Sequence, residues 1–179
     1  AVVLADFSGD GRPDIVTANA DSNNLSYLQG SAASAGVFNL AKSIAACASP
    51  ASLTATDLNG DSKLDLLVAC ADDAGIAYFI GKGDGTFNAA KTLQTCSFPS
   101  DVQVAQLTDD TKADLVVACG SPKTLQFYPQ VADLTFSPSP RTVDLGRGFF
   151  VGDLTGDRKA DVLVTESPTT PLLLINTNR

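Results

Sequence analysis

An all-β fold is predicted by three features of this 179-residue chain. A nine-residue acidic motif recurs four times, with its first positions at residues 6, 57, 106 and 153, giving steps of 51, 49 and 47 residues. Short apolar runs flank every copy, rich in β-branched residues and punctuated by Gly, Asp, Asn and Ser, which is the chemistry of strands and turns. No stretch combines a 3.6-residue apolar period with capping residues, so helices are expected to be almost absent. Repeats of this length, with four strands in each, are the pattern of a β-propeller-type array. The reading is one repeat domain of four four-stranded antiparallel blades, placed at 1–46, 47–95, 96–145 and 146–179, with the last blade lacking its outer strand.

Each predicted element has its own signal. The first strand of each repeat precedes the motif, at 2–5, 53–56, 102–105 and 149–152. The second is the Ile/Leu/Val run that leaves the motif, as in DIVTAN (14–19) and DLLVAC (65–70). The third starts eleven residues after the last motif position and is apolar or aromatic: LSYL (25–28), IAYF (76–79), LQFY (125–128) and LLLI (172–175). The fourth is read as starting at a phenylalanine, Phe38, Phe87 or Phe136. The acidic motif is thereby the turn of the hairpin between the first two strands.

The four copies are DFSGDGRPD (6–14), DLNGDSKLD (57–65), QLTDDTKAD (106–114) and DLTGDRKAD (153–161). Oxygen-bearing side chains stand at position 1 (Asp6, Asp57, Gln106, Asp153), position 3 (Ser8, Asn59, Thr108, Thr155), position 5 (Asp10, Asp61, Asp110, Asp157) and position 9 (Asp14, Asp65, Asp114, Asp161). Position 7 is always a cation (Arg12, Lys63, Lys112, Lys159). Its charged head cannot bind a metal, so it would contribute its backbone carbonyl. Hard oxygens at alternate positions of a tight loop are what Ca²⁺ requires; the alternative is a set of solvated turn aspartates. Twelve of the 20 acidic residues lie in these loops, three in each, and the net charge of −8 is what four Ca²⁺ ions would neutralise. Without metal, such crowding is expected to raise the carboxyl pKa values by mutual repulsion. The third copy departs from the pattern, with Gln106 at position 1 and Asp109 where the others have Gly. Three Ca²⁺ sites are therefore expected, with a fourth, weaker one in blade 3. Position 6 changes from Gly11 to Ser62, Thr111 and Arg158, which predicts that no left-handed residue is needed there.

The motif with its apolar run, together with GDGTF at 83–87, resembles the FG-GAP/VCBS repeats, which are similar to the calcium-binding blades of the integrin α-subunit head. The resemblance covers essentially the whole chain. It implies a β-propeller with Ca²⁺ in the hairpin between the first and second strands of a blade. It also implies ligand roles for Asp6, Ser8, Asp10, the Arg12 carbonyl and Asp14, and for the matching positions in later copies. Members of that family usually have seven blades, and four are readable here. The chain is thus the C-terminal part of a larger propeller, a four-bladed ring with a ragged last blade, or an open array completed by neighbouring copies.

Composition narrows the function. The chain has no His, so the commonest general base and transition-metal ligand is missing, and no Gly-x-Ser-x-Gly stands in it. Without a basic patch, and at a net charge of −8, nucleic acid is not an expected partner. No apolar run reaches the length of a membrane span, so membrane insertion is not expected. Four cysteines fall in two pairs, Cys47 with Cys70 and Cys96 with Cys119, each 23 residues apart. Both members occur in blades 2 and 3, and both are replaced in blade 4, by Val143 and Glu166. That joint occurrence selects this connectivity among the three possible, against free buried thiols or a Zn²⁺ site. Disulfides persist in oxidising compartments, which places the chain at the cell surface or outside the cell. A glycosylation sequon at Asn24 carries little weight. The leading expectation is a non-catalytic extracellular calcium-binding module for adhesion, with a protein or carbohydrate ligand. The alternatives are a structural subunit that assembles head-to-tail with copies of itself, and an accessory domain of a secreted polysaccharide-active enzyme.

Overall fold

The computed structural model describes residues 1–108, 110–137, 142–144, 148–157, 159–167 and 170–174. The first sheet consists of β1 (Val2–Ala5), β2 (Asp14–Asn19), β3 (Asn24–Leu28) and β4 (Lys42–Ala45), hydrogen-bonded in chain order. The second repeats it with β5 (Pro50–Thr56), β6 (Asp65–Cys70), β7 (Gly75–Phe79) and β8 (Lys91–Gln94). The third contains β9 (Pro99–Ala105), β10 (Asp114–Gly120) and β11 (Lys123–Tyr128). A small hairpin, β12 (Gln130–Ala132) with β13 (Thr135–Phe136), then precedes the outer strand β14 (Thr142–Asp144). The fourth sheet has three strands among the described residues, β15 (Gly148–Gly152), β16 (Asp161–Ser167) and β17 (Thr170–Leu174). All pairings are antiparallel, and no helix occurs among the described residues. None, accordingly, is long and apolar enough to cross a membrane.

The sheets stack in chain order, and the period of two in each strand decides what faces what. Leu66, Val68 and Cys70 of β6 pack against Val16, Ala18 and Leu25 of the first sheet. The alternate residues Leu67 and Ala69 turn the other way, to Leu115, Val117 and Cys119. Val116 and Ala118 in turn meet Val162 and Val164. This is why β6 is buried at every residue while β2 alternates between buried and half-buried: β6 has a sheet on each side. Adjacent sheets are also tied by the Thr54 hydroxyl donating to the Val102 carbonyl (2.7 Å) and the Val102 N–H donating to Ser52 Oγ (3.2 Å).

Both disulfides form as expected, Cys47–Cys70 with Cα atoms 5.7 Å apart and Cys96–Cys119 at 5.8 Å. The first strands of repeats two and three begin earlier than their apolar runs, at Pro50 and Pro99, which pair with Cys70 and Cys119 across a register shift. The cysteine just upstream of each is thereby brought beside the end of the second strand.

The fourth strand does not start at the phenylalanine. Phe38 and Phe87 make single bridges to Gly30 and Gly81, Phe136 belongs to the β12–β13 hairpin, and the outer strands begin several residues later. The Gly81–Phe87 bridge closes a small hairpin that leans on the preceding repeat. The Gly85 N–H donates to the Phe7 carbonyl (2.9 Å), and the Phe87 ring meets the edges of Phe7 (5.8 Å) and Tyr27 (6.5 Å). In the next repeat Leu134 and Phe136 pack on the cluster of Leu58 and Tyr78. Gly85 has φ +75°, and a Cβ there would lie 2.3 Å from the Tyr27 hydroxyl. Gly85→Ala is accordingly expected to destabilise the chain by roughly 1–3 kcal/mol, measured as a lowered denaturation midpoint. Gly36→Ala, at a site with φ +75° where a Cβ would meet nothing, isolates the left-handed backbone cost alone.

Candidate metal centres

All four loops are hairpin turns between the first two strands of a sheet, and two hydrogen-bond rules recur in them. The first concerns position 9. Asp14, Asp65, Asp114 and Asp161 are fully buried at the start of the second strand. The Asp14 carboxylate accepts from the N–H of Phe7 (3.0 Å) and Ser8 (3.1 Å), from the Tyr27 hydroxyl (3.0 Å) and, on its other oxygen, from the Gly30 N–H (2.8 Å). Asp65 accepts from Leu58 and Gly81, Asp114 from Leu107, Thr108 and Gln130, and Asp161 from Leu154 and Thr155. Position 9 therefore fastens the loop's entry to the strand that leaves it and, in the first three copies, to the end of the third strand. The second rule concerns position 5. Asp10, Asp61, Asp110 and Asp157 each accept the N–H of the residue at position 7, at 2.9–3.0 Å.

Position 1 organises the turn itself. Asp6 accepts from the N–H of Gly9 (2.7 Å), Asp10 (3.2 Å) and Gly11 (2.7 Å), and Asp57 from Gly60 (2.7 Å), Asp61 (3.1 Å) and Ser62 (2.8 Å). Asp153 accepts from Gly156 at 2.6 Å. In the third copy the polarity reverses: the Gln106 amide donates to the Asp110 carbonyl. The expectation for position 6 fails in the second copy. Ser62 has φ +66°, matching Gly11 at +80°, because its N–H is drawn onto Asp57; Thr111 in the third copy does not share that conformation. Asp109 and Arg158 lie outside the described residues.

The expected upward pKa shifts from crowding are not general. For Asp6 desolvation pushes upward, but the N–H groups of Gly11, Gly9, Asp10 and Ser8 outweigh it and hold the carboxyl below its ordinary value. The Lys112 N–H and the Thr108 hydroxyl do the same for Asp110. Asp65 does shift upward, chiefly through burial, with Asp61 and Asp57 adding to it against the N–H groups of Gly81 and Leu58.

The motif alone points to oxygen-rich turns, and the structure adds three contributors to them. The position-7 side chains fold back onto the position-5 carboxylates in the first three copies: Arg12 on Asp10, Lys63 on Asp61 (3.9 Å) and Lys112 on Asp110 (3.5 Å). Their alternation in sequence, acid then cation two residues on, is the available signal. The Tyr27 hydroxyl and the hairpin of the following repeat are the other two; GDGTF is visible in the sequence as a motif but without a role.

Among the described residues no three acidic or cysteine side chains converge on one point. The donor set still suits a hard cation. Carboxylates stand at position 5 and, except for Gln106 in the third copy, at position 1, with a hydroxyl or amide oxygen at position 3 and a carbonyl at position 7; a carboxylate oxygen that accepts one N–H keeps a further lone pair. The position-7 pairs are half-exposed, so displacing their heads costs little.

Comparison with known proteins agrees with this organisation. No curated protein matches the chain. Among solved structures, an Agrocybe aegerita lectin, described for its specific recognition of non-reducing terminal N-acetylglucosamine, superposes with a TM-score of 0.60 at 22% identity. The match covers 97% of this chain and 51% of the lectin, so the chain spans about half the lectin's length and shares its fold. The V. cholerae biofilm matrix protein Bap1 is more distant, with a TM-score of 0.46 at 19% identity over 90% of this chain and 27% of that one. The FG-GAP-like repeat model matches residues 6–68 and 57–117, each match opening on the first acid of a loop. With more than half its length covered by those two matches, the chain belongs to the FG-GAP-like repeat family.

Proposed function

We propose that this chain is an extracellular, non-catalytic binding module, a β-propeller-type array whose acidic loops hold Ca²⁺. The observation that carries the cation assignment is the fourfold hairpin turn that gathers oxygen-bearing side chains at positions 1, 3 and 5 and a backbone carbonyl at position 7. Asp6, Ser8, Asp10 and the Arg12 carbonyl would hold the ion in the first loop, with Asp14 behind them, and the matching residues in the second and fourth. Gln106 makes the third the weakest. The ion would supply charge compensation and rigidity, locking the turns between the first two strands. The two disulfides support a location outside the cytosol. The fold shared with a sugar-recognising lectin supports a carbohydrate or protein ligand over a chemical reaction.

Melting with Ca²⁺ against excess chelator tests the assignment. Ligand that binds only the native state adds about 2.7 kcal/mol per site at a hundredfold excess over Kd, so a clear fall of the midpoint in chelator is expected, and an unchanged midpoint removes the calcium reading. Asp61→Ala should reproduce much of that fall for the second loop, while Gln106→Ala should change the calcium response least.

Assembly with copies of itself is favoured as a second reading by one observation. Val2 and Leu4 of the first sheet are 59% and 61% exposed, apolar surface that a second copy would cover. Sedimentation with and without Ca²⁺ separates the two: a concentration-independent monomer excludes the assembly.

A further inference from the structure

The chain's one Asn-x-Ser/Thr sequence, Asn24-Leu25-Ser26, opens β3 directly after the turn that follows β2. As a sequence it carries little weight; its surroundings in the fold carry more. The second sheet turns Val68, Cys70 and Ala77 onto the sheet before it, with Gly75 buried beside Cys70. The third sheet has Val117, Cys119 and Thr124 in the same places, also buried. In the first sheet the matching residues are Thr17, Asn19, Asn24 and Ser26, all polar and all half-buried. From this exchange of an apolar face for a polar one we propose that Asn24 is a modification site, N-glycosylated during secretion. The inference rests on the extracellular reading and adds to it a covalent sugar at one named atom.

A row of side-chain hydrogen bonds joins these residues. The Thr17 hydroxyl donates to Asn19 Oδ1 (3.0 Å), and the Asn19 amide donates to Asn24 Oδ1 (2.8 Å) and Ser26 Oγ (2.9 Å). The Ser22 hydroxyl adds a second donor to Asn24 Oδ1 (3.1 Å). Two donors therefore fix the Asn24 amide by its oxygen, while its Nδ2 donates to no group among the described residues. That nitrogen is the atom that carries an N-linked sugar. The linkage spends one of its two hydrogens and leaves Oδ1, with both of its bonds, as it stands. Asn23 has the opposite role. It takes φ 55°, and its Oδ1 accepts from the Ser49 N–H (2.9 Å), so it holds the turn against the next repeat. Of the two adjacent asparagines, the one inside the sequon is the one whose amide nitrogen the fold does not use.

The transfer balances as a displacement. On the unfolded, entering chain the Ser26 hydroxyl completes the acceptor signal. Asn24 Nδ2 attacks the anomeric carbon of a lipid-pyrophosphate-linked oligosaccharide. The C–N bond forms as the C–O bond to pyrophosphate breaks, the lipid pyrophosphate leaves with that electron pair, and Nδ2 gives one proton to a base of the transferase. Nothing is oxidised or reduced. An N-linked sugar is bulky and solubilising. Val2 shares this face, because it pairs with Thr17 and Thr17 pairs with Ser26. A sugar on Asn24 would obstruct a second copy from covering Val2, so occupancy of the site weighs against the assembly reading.

The test secretes the full 179-residue chain from a eukaryotic host and treats it with peptide N-glycanase in ¹⁸O-labelled water. The expected result is loss of a single glycan's mass and conversion of Asn24 to ¹⁸O-labelled Asp in its peptide. Ser26→Ala should lose the sugar, Ser26→Thr should keep it, and Asn24→Gln should lose it while the chain is still secreted with both disulfides formed. Secretion with both disulfides formed and Asn24 unlabelled overturns the glycosylation alone and leaves the extracellular reading standing. A sugar that persists undiminished in Ser26→Ala overturns the assignment to this sequon. A chain held in the cell with four free thiols overturns the extracellular reading and the inference with it.

Discussion

Asp14→Ala is expected to destabilise the chain by roughly 3–5 kcal/mol, more than any other single acidic substitution in the first loop. The reason lies in burial and in the number of donors that converge on one carboxylate. The Phe7, Ser8 and Gly30 N–H groups and the Tyr27 hydroxyl all donate to it, and Asp14 is fully buried. Removal leaves four donors facing a small cavity, and each unsatisfied buried group costs about 1–3 kcal/mol, less whatever water can recover. Asp14→Asn should be milder, since one oxygen still serves Gly30 while the new NH₂ opposes the N–H groups of Phe7 and Ser8. The decisive comparison is denaturant unfolding in excess chelator. If position 9 fastens the fold in its own right, the loss persists without Ca²⁺; a loss seen only in Ca²⁺ would reduce Asp14 to a metal ligand. Asp10→Ala, at the half-exposed position 5, should show the opposite pattern.

The second large effect is expected from the disulfides. Each closes a loop of 23 residues, joining the segment before a first strand to the end of the second. In the chain-entropy model each contributes about 3 kcal/mol by restricting the unfolded ensemble. Paired replacement of Cys96 and Cys119 by alanine should lower the unfolding free energy by about that amount, and the Cys47–Cys70 pair by a similar amount, because the two loops are equal in length and equivalent in the fold. Peptide mapping without reductant should recover only these two linkages. A fragment linking Cys70 to Cys96 would contradict the structure.

Much of this is legible in the sequence because it is written in local chemistry. The strands flanking each loop follow from β-branched runs, and the cysteine pairing follows from joint occurrence in two repeats and joint absence in the fourth. The fourth strands start later than their phenylalanines suggest, for a physical reason. Phe87 is aromatic, yet its ring packs on Phe7 and Tyr27 of the preceding repeat, and periodicity within one repeat carries no information about the next. The same limit hides the role of Tyr27. Its hydroxyl reaches Asp14 across thirteen residues of sequence, and its burial raises its pKa, with the bond to Asp14 adding to the effect. Ser62 defies its propensity, which argues against a left-handed serine, because three N–H groups converging on Asp57 override that preference.

The hairpin of one repeat rests on the loop of the repeat before it, and this sets the seams along which such a protein can be rearranged. A graft cut between two sheets, ahead of Pro50, would carry away the first loop and leave behind the Gly85 and Phe87 that cover it. An exchangeable cassette has to run from Asp6 through Phe87, overlapping its neighbour by most of a sheet. Sheets in this array are thus the units of strand pairing, while the units of transplantation are longer and out of phase with them. Loop and hairpin must be moved as a pair, and a chimera spliced at the sheet boundaries would inherit a covering matched to a different loop.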